Sequence, residues 1–259
     1  MNKIIDPKLE CEKIIEFITS KNKLLGTVGG VVGISGGIDS TICAALIVKA
    51  LGPSNCLGII IPAPDSNPQD AEDANKVAEF LGIKTIYHPL NLAEFEFEDR
   101  DFEKEIKPLL LSMNKLLPPQ IELPYIMKLR GRMNIITYYA RKNNYFQCQT
   151  LEKTEWMLGW FDKFGDGAGD IAPIFHSYKT EVRELAKRIG VPDFILNRSP
   201  TSGNYPLTDE EELGMSLEEA DIILKKLDKG IVEENRNFKK IERMVSISKS
   251  KREIPLWIN

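Results

Sequence analysis

Two short runs, Val31–Ile34 and Leu57–Ile61, carry an apolar side chain or glycine at every position. A strand with no polar side chain to turn towards water must be covered on both faces, the pattern of strands inside a parallel sheet. The intervening segments agree. Asp39–Leu51 is rich in Ala, Leu, Ile and Val and stops at Gly52-Pro53, while Pro68–Leu81 ends at Gly82, so each reads as a helix. Ile83–Tyr87 reads as a third strand. Such alternation winds a right-handed parallel sheet with helices on both sides. The expected fold class is therefore α/β, a doubly wound, mostly parallel sheet.

The flanking segments extend this reading. Asp6-Pro7 reads as the cap and first residue of a helix running to about Lys23. A long helix over Tyr125–Lys142 precedes a short strand at Tyr145–Gln149. Another strand is expected at Ile171–Ile174 and a helix over Tyr178–Ile189, closed by Gly190-Val191-Pro192. Two more helices are expected, near Ser216–Leu227 and Asn235–Ser248. Residues 91–124, with the charged and aromatic run Glu94–Asp101, read as a helical insertion. The length of 259 residues suits one large α/β domain, and no linker or repeat divides it.

Composition excludes several classes. A net charge of −4 leaves no global basic field for nucleic acid. Cys11, Cys43, Cys56 and Cys148 form no C-x-x-C pair, so neither a zinc site nor a redox pair is expected. Two histidines, His88 and His176, are too few for a multi-histidine metal centre, and both are expected to be structural. Neither a signal peptide nor a membrane-length apolar run is recognisable, so a cytoplasmic location is expected.

Chemistry is concentrated just after the first strand, at Ser35-Gly36-Gly37-Ile38-Asp39-Ser40. A strand feeding a loop at a helix N-terminus forms an anion site, because the first helical N–H groups lack intrahelical partners and the dipole favours negative charge. Glycines let the backbone approach a phosphate. Ser35 and Ser40 add hydroxyl donors, and Asp39 is placed to hold a magnesium ion bridging phosphate oxygens. No Lys follows the glycines, so this is not a Walker A loop. Later stretches add candidates. Lys128–Met133 carries Arg130 and Arg132, able to grip a carboxylate or phosphate with two hydrogen bonds. Thr150–Glu155 follows a strand, where open parallel sheets bind ligands, although a helix cap explains the same residues. Phe161–Ile171 packs three glycines and three aspartates into one loop, with Lys163 and Asp170 as an opposite-charge pair of recognition groups.

The first loop resembles the S-G-G-x-D-S pyrophosphate loop of the ATP pyrophosphatase superfamily, whose fold is adenine nucleotide α-hydrolase-like. The ordered set resembles ammonia-dependent NAD synthetase over nearly the whole chain. To that loop it adds Lys128–Met133, Thr150–Glu155, Lys163–Ile171, Lys179–Ala186, Pro200–Gly203, Thr208–Glu210, Leu213-Gly214 and Lys251–Pro255. The resemblance implies that Ser35, Gly36, Gly37, Asp39, Ser40, Thr150, Lys179 and Thr201 contact ATP. It further implies that Asp39 and Glu155 hold Mg2+, that Asp39 and Lys179 serve catalysis, and that Arg130, Lys163, Asp170 and Lys251 contact deamido-NAD. Ser250 stands where the family usually has His beside that lysine, and is carried with it as a substrate-binding position. A homodimer is implied, with substrate sites drawing on both subunits.

The implied reaction is a two-step amidation. The substrate carboxylate attacks the α-phosphate of ATP, pyrophosphate leaves, and ammonia displaces AMP from the acyl-adenylate. The chain is too short to carry a glutaminase beside the synthetase core, so ammonia is expected free or from a separate glutaminase. Ile126, Gln149, Leu151, Glu152 and Ser250 depart from the family pattern. Ile126, Leu151 and Ser250 motivate the alternative of an amide synthetase of the same mechanism acting on another carboxylate.

Overall fold

A computed structural model describes residues 6–64, 66–91, 123–198 and 208–253. Thr201, the Pro200–Gly203 motif and nearly all of the expected 91–124 insertion lie outside them. The strands are β1 (Gly30–Gly33), β2 (Cys56–Ile60), β3 (Lys84–Tyr87) and β4 (Phe146–Gln147). They form one parallel sheet in the order β3-β2-β1-β4.

The helices are α1 (Pro7–Leu25), α2 (Ile38–Leu51), α3 (Pro68–Leu81), α4 (Leu123–Asn143), α5 (Lys153–Leu158), α6 (Lys179–Ile189), α7 (Asp193–Leu196), α8 (Asp209–Leu213), α9 (Leu217–Leu227) and α10 (Arg236–Ile247). Local chemistry sets their ends. Asp6 and Asn67 cap α1 and α3 through their side chains, each followed by Pro, and Gly26 and Gly82 close them in the left-handed conformation. Ser216 and Asn235 cap α9 and α10 in the same way.

Alternate residues of the sheet bury on opposite faces. Val32, Ile34, Ile60 and Phe146 join α1, α2, α3 and α6 in the larger core. Val31, Leu57, Ile59 and Ile61 face the other way, against Met133, Ile136 and Ala140 of α4. Both faces are therefore covered, as the unbroken apolar runs require. A third cluster joins α5, α9 and α10 around Leu158, Leu224 and Phe238. At the outer edge β3 is half-exposed, and Lys84 blunts it against pairing with another chain.

The expected strands at the other edge need correction. Tyr145–Gln149 contracts to the two residues of β4, and Ile171–Ile174 contributes only a single parallel bridge, Cys148 to Ile171. Crowding of Gly169 against Gln149 accompanies the break, since a Cβ on Gly169 would lie 2.6 Å from that of Gln149. No described helix is long and apolar enough to cross a membrane. All four cysteines are buried and free.

Candidate active site

Strand order reverses at β1, whose chain continues to β2 on one side while β4 arrives on the other. Such a switch point leaves a crevice beyond the strands' carboxyl ends, between the two diverging loops. A cavity of about 310 Å³ opens there. Ser35, Gly37, Asp39 and Ser40 line it from the β1 loop, Thr150, Leu151 and Glu155 from the β4 loop, and Lys179 from the start of α6.

Side chains brace the β1 loop from within. Ser35 Oγ lies 3.0 Å from Ser40 Oγ and accepts the Gly37 N–H at 3.2 Å. Ser40 Oγ and Thr41 Oγ1 donate to the Gly37 carbonyl at 3.1 and 2.7 Å. Gly36 has φ +75°, in the left-handed region, and a Cβ there would lie 2.7 Å from the Asp70 carbonyl oxygen. A side chain at this position therefore meets both strain and backbone.

Beneath the loop, charge is concentrated. Lys179 is buried and donates from Nζ to Asp39 Oδ2 at 2.5 Å. Burial opposes its charge, but Asp39, Glu155 and Glu152 more than offset this, and the ammonium is held above its ordinary pKa. Burial pushes the Glu155 carboxyl up to about 8, with the negative charge of Asp39 adding to it against the opposing pull of Lys179. Glu152 is raised well above the usual range by burial, then by Glu155. Asp39 Oδ1 is buried with no hydrogen-bond partner. Asp39 thus pairs with Lys179, while burial favours the protonated forms of Glu152 and Glu155 beside them.

Neighbouring elements fix these groups. Glu152 caps α5, accepting the N–H groups of Thr154 and Glu155 at 2.6 and 2.9 Å, while Glu155 accepts the Glu152 N–H at 3.1 Å. This capping box realises the helix-cap reading of Thr150–Glu155 and still leaves Glu155 in the cavity wall. Asp221, buried on α9, ties two helix starts together. It accepts from Thr154 Oγ1 at 2.5 Å and from Thr180 N–H at 2.9 Å, and Thr154 Oγ1 in turn accepts the Lys179 N–H at 3.0 Å. The placement of Lys179 therefore depends on the C-terminal helices.

The other expected residues lie elsewhere. Arg130, Lys163, Asp170, Ser250 and Lys251 are absent from the lining of this cavity. Arg130 donates twice to Asp162, at 2.8 and 3.1 Å. Lys163 and Asp170 do not pair with each other. Lys163 reaches the Glu253 carbonyl, while Asp170 accepts from Arg141 at 3.1 Å and from the Gln147 N–H at 2.8 Å. Lys251 donates to the carbonyls of Gly159 and Phe161 at 2.7 and 3.0 Å, and Ser250 is exposed on the last helical turn.

Sequence reasoning missed several wall residues. Trp160 lines the cavity and its buried indole N–H has no partner. Asp166 accepts the Asp162 N–H at 2.7 Å, and burial pushes its carboxyl up to about 7. Arg198 reaches the β1 loop from beyond α7. The buried setting of Asp166 and Trp160 has no local signature. For Arg198 the available signal was its position two residues before the Pro200–Gly203 motif.

The arrangement suits a phosphorylated ligand: backbone N–H groups and hydroxyls above, a lysine at the side, and carboxylates able to share a cation below. The NAD synthase family model matches residues 10–255. The NH(3)-dependent NAD(+) synthetase of Methanocaldococcus jannaschii is 41% identical over 225 residues, 84% of this chain and 80% of that protein. Its counterpart in Thermococcus kodakarensis is 37% identical over 97% of both. Among solved structures, an NMN synthetase from Francisella tularensis superposes with a TM-score of 0.81 at 29% identity, covering 98% of this chain and 99% of that one. The NH3-dependent NAD synthetase of Campylobacter jejuni shares the fold, with a TM-score of 0.70 at 24% identity over 98% and 100%.

Proposed function

The chain belongs to the NAD synthase family, and from that premise we propose that it amidates deamido-NAD to NAD with ATP and ammonia, releasing AMP and pyrophosphate. The observation that carries the reading is the buried Lys179–Asp39 pair beneath the glycine loop, with Glu155 beside it, at the switch point of the sheet.

A carboxylate is a poor electrophile, because its charge is delocalised and its leaving group would be oxide. Transfer of the adenylyl group supplies a good leaving group. In this reading the loop N–H groups and the hydroxyls of Ser35 and Ser40 bind the β- and γ-phosphates. Lys179, kept charged by its carboxylate neighbours, neutralises charge that builds up as pyrophosphate departs. Thr150 and Thr201 are assigned to ATP as well, Thr201 from the sequence motif alone. No enzyme nucleophile is needed.

Asp39 and Glu155 fit a magnesium ion. An unpartnered buried carboxylate oxygen and a second buried carboxyl form a hard oxygen pair, and magnesium is commonly held by one or two carboxylates together with substrate phosphates. When bound, the ion supplies positive charge at the phosphate oxygens.

Arg130, Lys163, Asp170, Ser250 and Lys251 are proposed to contact the dinucleotide after exchanging their present partners or across a homodimer. We assign the chain as one domain, cytoplasmic, with ammonia arriving free or from a separate glutaminase.

The test is product analysis with deamido-NAD, Mg-ATP and ammonium. Stoichiometric NAD, AMP and pyrophosphate support the reading. The comparison substrate is nicotinic acid mononucleotide, chosen because one structural relative is an NMN synthetase. Turnover of the mononucleotide alone would keep the adenylation chemistry and replace the substrate.

A further inference from the structure

Whether the β1 loop offers donors or acceptors to a phosphate depends on one peptide, Gly36–Gly37. In a planar trans peptide the carbonyl and the following N–H point in opposite directions. Arg198 Nη1 donates to the Gly36 carbonyl at 3.2 Å, so that oxygen is engaged on the Arg198 side. The Gly37 N–H turns the other way, to Ser35 Oγ at 3.2 Å, among residues that line the cavity.

The guanidinium has its own anchors. It donates to Asp73 Oδ2 at 3.3 Å and to Asp70 Oδ1. These aspartates stand three residues apart on α3 and so share a face. Burial raises the Asp73 carboxyl, but hydrogen bonds from Gln69 and Lys76, with the charges of Lys76 and Arg198, outweigh it and leave the group below its ordinary value. It therefore stays anionic, opposite an arginine that is always charged. The α3 backbone fixes the same spot, through the close approach of the Asp70 carbonyl to Gly36.

We infer that Arg198 is a positioning residue for the phosphate loop: anchored on Asp70 and Asp73, it holds the Gly36 carbonyl away so that the Gly37 N–H stays on the opposite side, for a phosphate to take over from Ser35 Oγ. This rests on the ATP reading above. A rival role exists, because Arg198 also lines the cavity: it could release α3 and grip a phosphate itself. The two roles give opposite responses to Asp73→Asn. Loosening a positioning residue weakens phosphate binding, whereas freeing a direct ligand strengthens it.

The experiment compares wild type with R198A, R198K and D73N. Calorimetric titration measures affinity for Mg-ATP and for pyrophosphate, steady-state kinetics gives KM and kcat, and thermal melts follow the fold. R198A should weaken both affinities by about tenfold or more, as for loss of a charge-assisted hydrogen bond. R198K should recover part of that loss, D73N should weaken both ligands, and the KM for ammonium should not move. If R198A fails to fold, R198K and D73N carry the same comparison. Wild-type affinity in R198A, or tighter binding in D73N, overturns the inference alone. A wild type that binds neither ligand overturns the ATP reading, and the inference with it.

Discussion

At the carboxyl end of β1, the acidic groups Asp39, Glu152 and Glu155 crowd around Lys179, and Asp39 Oδ1 has no partner among the described residues. Around the 161–170 loop most polar groups have direct local partners: Arg130 holds Asp162, Arg141 holds Asp170, and Lys163 and Lys251 rest on backbone carbonyls. Both regions offered candidate ligand residues in the sequence. They differ in whether the fold satisfies them. Buried acidic groups that keep their protons until a cation arrives, beside a carboxylate oxygen without a partner, suit a cationic ligand, whereas a satisfied ion pair is stable without one.

The largest expected effect tests the unsatisfied side. Asp39→Asn should lower kcat for NAD formation by about 10²-fold or more, with a fall in melting temperature because buried Lys179 loses its ion-pair partner. Full turnover in this variant would break the comparison at its strongest point. Lys179→Met should also lose about 10²-fold in kcat, and its Tm should fall as well, because removing the partner of buried charges costs about 3–5 kcal/mol. Magnesium titrated against the Lys179→Met melt should restore part of that stability.

A smaller effect sharpens the satisfied side. If Arg130 takes the dinucleotide by leaving Asp162, Arg130→Ala raises the KM for deamido-NAD by about tenfold and Asp162→Asn lowers it, with the KM for ATP constant in both. Equal effects from the two variants would reduce the pair to scaffold.

The smallest effect concerns pH. Asp166 has a folded-state pKa of about 7, above the ordinary 3.8, because burial disfavours its charge. The native protein thus keeps a proton that the unfolded chain has already lost. The associated stability is fully present below the unfolded value and disappears as pH rises through the folded one. Asp166→Asn stays uncharged, so its Tm should fall less than that of wild type between about pH 5 and pH 8. Parallel melting curves would remove Asp166 from the account.

Elements with local causes were legible in the sequence. The bounds of α3 follow from Asn67, Pro68 and Gly82, and the coverage of both sheet faces follows from Val31 and Val32 both being apolar. Asp39, Glu155 and Lys179 could be singled out because each stands in a recognisable motif. Elements with distant causes were not legible. The chain leaves the sheet after Gln147 as Gln149 meets Gly169, and Ile171 gains a bridge instead of a strand. Glu152 read as one more acidic residue of a helix start, and only the fold shows that it is buried among charges. Arg198 meets the Gly36 carbonyl because α3 and the end of α7 converge on one loop, which no spacing along the chain encodes.

The parallel pairing of β1 has a consequence for synthesis. One edge of β1 pairs with β2, but its other edge waits for β4, which the chain supplies only after α4. While the chain is being made, the first three strands emerge with that inner edge bare, and an unpaired edge is a template for a neighbouring chain. Lys84 protects the outer edge on β3, but the inner edge of β1 carries only Gly30, Val31, Val32 and Gly33. A product cut short before Phe146 is therefore expected to aggregate rather than persist as a small folded sheet, and nucleotide cannot rescue it, since Glu155 and Lys179 have not yet been made.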